Sequence, residues 1–209
     1  SSTEYFGQSS FNPNDFNIDD LGALFSTAAD KSGSSSSQML QIVEFNQGQV
    51  LMTVTTNPET LPVFFRQDGT VIEGVEMTTL SGVKQALEDV IGSHSQIITM
   101  GFDSKEGLWI EAPGPKDGTI IRRTRPINTP AFEVPRKGNP EAPTFNPSQI
   151  RPEVLTRLIN GGVRKADGKV EAVSFTISVD PQLGEPVIRL NVNGQVTSYE
   201  LSGIPVTIH

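Results

Sequence analysis

The sequence predicts a β-rich α+β protein: antiparallel sheets, sandwich- or barrel-like, with two or three short helices, an N-terminal arm and a proline-rich extended segment. Three observations carry that expectation. Hydrophobic residues are 35% of the 209 and charged residues 19%; Ser, Thr, Asn, Gln, Gly and Pro take their place, and these favour strands and turns over helices. Short apolar stretches are punctuated by Asp68-Gly69 and Asn193-Gly194, dipeptides suited to the positive φ angles of tight hairpins. Finally, 9 of the 15 prolines fall within residues 113–152, which cannot therefore supply a run of central strands, because proline lacks the donor a ladder needs.

Residues 1–37 read as an arm with a short helix and a joint. The leader SSTEYFGQSSFNPNDFNIDD holds Tyr5, Phe6, Phe11 and Phe16 at intervals that match neither helix nor strand. A solvated tail has few aromatics, so these four are candidate anchors that fill separate pockets. From Asn17 a helix is expected, with Asn17 as its cap, Asp19 and Asp20 in its first turn, and Ile18, Leu21, Phe25 and Ala28 on one face. Lys31-Ser-Gly-Ser-Ser-Ser-Ser37 reads as a slack connector.

Residues 38–112 form a β-rich block with one helix. Strands are expected at 39–45 and 49–56 around Asn46-Gln-Gly48, and at 62–67 and 70–79 around Asp68-Gly69. A helix capped by Ser81 presents Val83, Leu87, Val90 and Ile91 and stops at Gly92. Strands 96–102 and 107–112 follow.

Residues 113–152 are a basic, extended segment, with room for one short strand at 119–124. Residues 153–209 form a second β-rich block, sharing a core with 38–112 or standing apart. It opens on a short helix, 153–160, closed by Gly161-Gly162. Strands are then expected at 170–179, 186–192, 195–201 and 204–208. Val173, Phe175, Ile177 and Val179 alternate, the mark of a half-buried antiparallel strand. LMTVTTNPETLPVFFRQDGTV can be laid on SFTISVDPQLGEPVIRLNVNGQV with single-residue gaps, and Leu-Ser-Gly recurs at 80–82 and 201–203. Either a duplication or two hairpins sharing one turn grammar would give this pattern.

Chemistry is sparsely supplied. The histidines are His94 and His209, and there is no cysteine, so disulfides and thiolate metal sites are excluded. Ser93-His94-Ser95 has no carboxylate placed to orient the imidazole. Asp103 to Glu106 is too short for a calcium loop. No catalytic residue, metal site or cofactor is expected. The net charge of −8 argues against binding a phosphate backbone, and no apolar run reaches the ~18 residues of a membrane span. No signal peptide is visible in the sequence.

The charges separate by sign. Residues 1–30 carry five acids and no Lys or Arg, whereas Lys116 to Lys137 holds six basic and two acidic residues. Charge orients a contact while aromatics bury surface in it, so Arg122, Arg123 and Arg125 are the expected receiving patch for the aromatic arm. The functional expectation is a non-enzymatic structural protein that associates with other copies of itself or neighbouring structural proteins. A virion component (capsid-associated, tail-tube or connector) is the preferred kind, which places it in a virion or in the cytoplasm. The alternative is a monomeric module that binds protein or glycan through its loops, including an exported one.

Overall fold

The computed structural model describes residues 13–33, 38–45, 49–55 and 63–209. The class is the expected one: β-rich α+β, with a three-stranded and an eight-stranded antiparallel sheet and three α-helices. The chain divides into two compact units, Ser1–Glu73 and Gly74–His209. The boundary falls inside the stretch 70–79 expected as one strand, so the 38–112 block is shared between them.

The first unit holds α1 (Leu21–Ser32), β1 (Met39–Phe45), β2 (Gln49–Thr55) and β3 (Val63–Phe65). β1 and β2 pair from Met39↔Thr55 to Phe45↔Gln49, matching the expected hairpin. The turn at 46–48 and the joint at 34–37 lie outside the described residues. The helix begins three residues later than expected. Asp20, not Asn17, is its cap, accepting from the Ala23 amide at 2.9 Å. Asn17 instead donates its side-chain amide to the Asp68 carbonyl at 3.1 Å. The buried face is Leu24 and Ala28, while Ile18 and Leu21 are exposed; a register shifted along the chain turns different residues inward. Together with Phe16, Met52, Val54, Val63 and Phe65 they form a small core.

At Asp68-Gly69 the chain makes the tight turn, with Gly69 at φ 87°. The return strand is a correction, however. After the bridge Phe65↔Val71 the ladder ends, because the chain leaves for the second unit. The Thr70 hydroxyl and amide both donate to the Asp68 carboxylate and hold it below its ordinary value of 3.8.

The second unit contains two sequences of the same kind. First come α2 (Leu80–Ile91), β4 (Thr99–Asp103), β5 (Gly107–Pro113), β6 (Thr119–Arg125) and β7 (Phe132–Lys137). Then come α3 (Pro152–Lys165), β8 (Val173–Val179), β9 (Pro186–Val192), β10 (Gln195–Glu200) and β11 (Pro205–Val206). Each is a helix followed by a four-stranded meander, and the linkers 92–98 and 166–172 have the same length. The first strands of the two meanders pair antiparallel, from Thr99↔Ser178 to Phe102↔Phe175. The result is one open sheet, β11-β10-β9-β8-β4-β5-β6-β7. Of the two alternatives for 153–209, sharing a core or standing apart, the first holds for residues 74–112: the two contribute to one core.

That core lies between the sheet and the helices. Met100, Phe102, Leu108, Ile110, Val173, Phe175, Ile177, Ile188 and Leu190 meet Val83, Leu87 and Val90 of α2 and Leu155 and Ile159 of α3. The rings of Phe102 and Phe175 stack with centroids 5.8 Å apart. Each such side chain contributes about 1.5–3 kcal/mol by leaving water. Thr79, two residues before the expected Ser81, caps α2 by accepting from the Gly82 amide at 3.1 Å.

Three further expectations change here. Helix α3 runs through Gly161-Gly162 and stops at Ala166, because Gly162 is a packing residue. A Cβ there would lie 3.0 Å from Val192 and 3.2 Å from Val173, so the glycine brings α3 down onto β8 and β9. The proline-rich segment holds two strands instead of one: Pro135 lies in β7, at the end of the sheet where no outer partner asks for its donor. Last, Leu80-Ser-Gly82 opens a helix whereas Leu201-Ser-Gly203 is a turn after β10, which favours convergent turn grammar for the two similar stretches. Asn193-Gly194 is the expected hairpin tip, with φ of 52° and 81°.

Candidate functional site

Of the four aromatics expected to act as anchors, Phe16 is described and Tyr5, Phe6 and Phe11 lie outside the described residues. Phe16 is 5% exposed and packs with Met52, Val54, Val63 and Phe65. It is part of the first unit's own core. No periodic pattern marked it, since it lies between the 3-10 turn Pro13–Asp15 and α1, and its neighbours come from strands.

The three arginines lie together on β6 but are engaged within the second unit. Arg122 stacks its guanidinium 4.0 Å from the Trp109 ring centroid and pairs with Glu111 at 3.1 Å and with Glu106. Trp109 itself lies on Gly101, where a Cβ would come 2.1 Å from the ring. Arg123, on the opposite face of the strand, donates twice to the Asp89 carbonyl near the end of α2. Arg125 is 1% exposed; it pairs with the Asp89 carboxylate at 2.9 Å and donates to the carbonyls of Pro126, Ile127 and Thr129. The patch read from charge is therefore a set of clamps. Alternation along β6 divides it between two faces, a division that summed charge does not reveal.

The imidazole of His94, expected to lack a carboxylate beside it, reaches Glu133 of β7 at 2.9 Å, a partner that only folding brings near, and so ties the loop after α2 to the outer strand. Among the described residues no group of three or more His, Asp or Glu could hold a metal ion. No helix among them is long and apolar enough to cross a membrane.

Features left for recognition among the described residues include the sheet edges and a groove. β7 reads FEVPRK and carries Pro135, Arg136 and Lys137. β11 has two residues and begins with a proline. β3 is followed by residues 70–72, whose Thr70 carbonyl and Ile72 amide bond to Arg66 and Phe64 at 2.8 Å. β1 differs from all of these. It is seven residues long, reads MLQIVEF and, among the described residues, pairs only with β2. Leu40 and Ile42 face the small core, and Met39 on the other face is 52% exposed. Proline and lysine, the usual guards of a free edge, are absent from it.

The groove, of about 690 Å³, lies at one end of the larger sheet between residues 144–151, the β8–β9 turn and the β10–β11 turn. No protein-family model, curated protein or solved structure matches this chain.

Proposed function

We propose that the protein is a non-enzymatic structural protein that associates with copies of itself, and that the outer edge of β1 is a joint. The observation that carries this reading is the contrast among edges: β7, β11 and β3 are guarded or covered, and β1 is long, mostly apolar and, among the described residues, without proline, lysine or an outer partner. An edge of that kind is a template for strand pairing with another chain. Two β1 strands meeting antiparallel make an isologous joint, which closes as a dimer.

A second, head-to-tail contact would extend such dimers into rings or lattices, and residues 1–12, with Tyr5, Phe6 and Phe11, are the proposed arm for it. Phe16 is outside that role because it serves the core. Shells, tubes and connectors of virions are assembled by arms and shared strands; the virion reading is this analogy, and location in a virion or the cytoplasm goes with it.

The test is mass in solution at several protein concentrations, for the unaltered chain and for a Gln41→Lys/Val43→Lys variant. Both positions lie on the face of β1 away from Leu40 and Ile42, so the lysines guard the edge without entering the small core. Mass should rise with concentration in the unaltered chain, more steeply in added salt that screens the charge of −8, and the variant should lose the β1-paired dimer and rise less steeply. An unaltered chain that is monomeric throughout, or a variant that associates as before, would remove β1 as the joint.

A further inference from the structure

The chain carries four methionines and no cysteine, so all of its sulfur is thioether. Burial sorts the four. Met52, 0% exposed, lies in the small core, while Met77 and Met100, at 4% and 0%, lie in the larger one. Met39 is 52% exposed. A dissolved oxidant must meet the sulfur to react, so the fold shields three of these side chains and presents one.

Met39 opens β1, the strand that pairs only with β2 among the described residues. It stands opposite Thr55 of β2, on the face of the small sheet that also holds Gln41 and Val43. Leu40 and Ile42, on the other face, pack against the small core. A change at the Met39 thioether therefore alters the open edge and spares the packing beneath it. Unbranched and polarizable, methionine adapts to irregular apolar contacts and suits a surface that receives a partner.

We infer that Met39 is a modification site, at which oxidation by hydrogen peroxide weakens pairing through β1. The effect on pairing rests on β1 being the joint; the site itself does not. A lone pair on Met39 Sδ attacks one peroxide oxygen, and the O–O bond breaks. Proton transfer then leaves the sulfoxide and one water, so the sulfur is oxidised and the peroxide reduced. The product sets a polar, chiral S=O group where an apolar chain stood. Covering that oxygen with apolar side chains and no donor disfavours the paired state. A dithiol-dependent sulfoxide reductase reverses the step: the oxygen leaves as water and two thiols become a disulfide.

The experiment treats the folded full chain with hydrogen peroxide, locates added oxygen by peptide mass mapping and follows association by sedimentation. One oxygen should appear at Met39 while Met52, Met77 and Met100 stay thioethers. Association should weaken about tenfold, the effect of one covered polar group left without a partner, and the reductase should restore it. Met39→Leu should associate as the unaltered chain does and ignore peroxide. The Gln41→Lys/Val43→Lys chain, lacking the β1 pairing, should take up the oxygen with no further loss of association. Oxygen arriving at a buried methionine before Met39, or an oxidised chain that associates as strongly as before, would overturn the inference. So would an equal loss of association in peroxide-treated Met39→Leu. An untreated chain that never associates removes the joint and its control together; the mass map decides the site in either case.

Discussion

β1 and β7 are edge strands of similar length, and they treat the same liability in opposite ways. Every edge presents a row of unsatisfied N–H and C=O groups. In β7 the row is broken by Pro135 and flanked by Arg136 and Lys137, and the strand is pinned inward by His94–Glu133. In β1 the row is unbroken, and the side chains offer Met, Leu, Ile and Val. Among the described residues, the outer strand of the large sheet thus carries guards and that of the small sheet does not.

The largest change should come from Arg125→Met. It strips the partner from the Asp89 carboxylate and the donor from three carbonyls, and removing one member of a buried pair costs roughly 3–5 kcal/mol. The midpoint of denaturant unfolding for the second unit should fall accordingly. The connection to β7 should loosen, so association at that edge should rise. A midpoint within error of the unaltered protein would mean that the clamp does not hold the guarded edge.

Next is the guard itself. Pro135→Thr combined with Arg136→Thr should convert β7 into an edge like β1, and sedimentation should show a second mode of association that the β1 lysines do not suppress. If that variant sediments as the unaltered chain does, proline and charge are not what keeps β7 alone.

Thr53 of β2 offers a smaller effect. Its hydroxyl is buried without a hydrogen-bond partner among the described residues, and such a group costs about 1–3 kcal/mol. Thr53→Val should therefore raise thermal stability modestly and leave association through β1 unchanged. A drop in stability would show that the hydroxyl is satisfied.

The smallest effect is at the turn after β3. Asp68 has a carboxyl held below 3.8, so its contribution to stability is present above that value and fades as pH falls through the lowered one. Its titration midpoint, followed by nuclear magnetic resonance, should lie below 3.8 and move up in Thr70→Val. A midpoint at or above 3.8 in the unaltered chain would contradict the hydrogen bonding described here.

Legibility in the sequence followed the range of the cause. The 39–45 and 49–55 pairing, the alternation of Val173, Phe175 and Ile177, and the tips at Gly69 and Gly194 were readable because period two and positive φ are properties of a few adjacent residues. Helix starts were readable only to within a few residues: Asn17 and Asp20, or Thr79 and Ser81, are equally good caps until the surrounding chain takes one of them for another bond. The Asn17 side chain went to the Asp68 carbonyl, 51 residues away. The arginines of β6 were legible as charge and illegible as clamps, since Asp89 and Glu111 reach them only through folding.

The sequence by itself therefore determined the class of fold, most strands and the turns between them, because those follow from local backbone preference and alternating burial. Tertiary structure decided which strands became edges, that Gly162 lies inside a helix, that Phe16 belongs to a core and that the β6–β7 connection bonds to the segment before α2. Each of these depends on a neighbour distant in sequence: Val173 and Val192 against Gly162, Met52 and Phe65 against Phe16, Val75 against Ile127. An edge is defined by the strand that does not pair with it, and no residue carries that information alone.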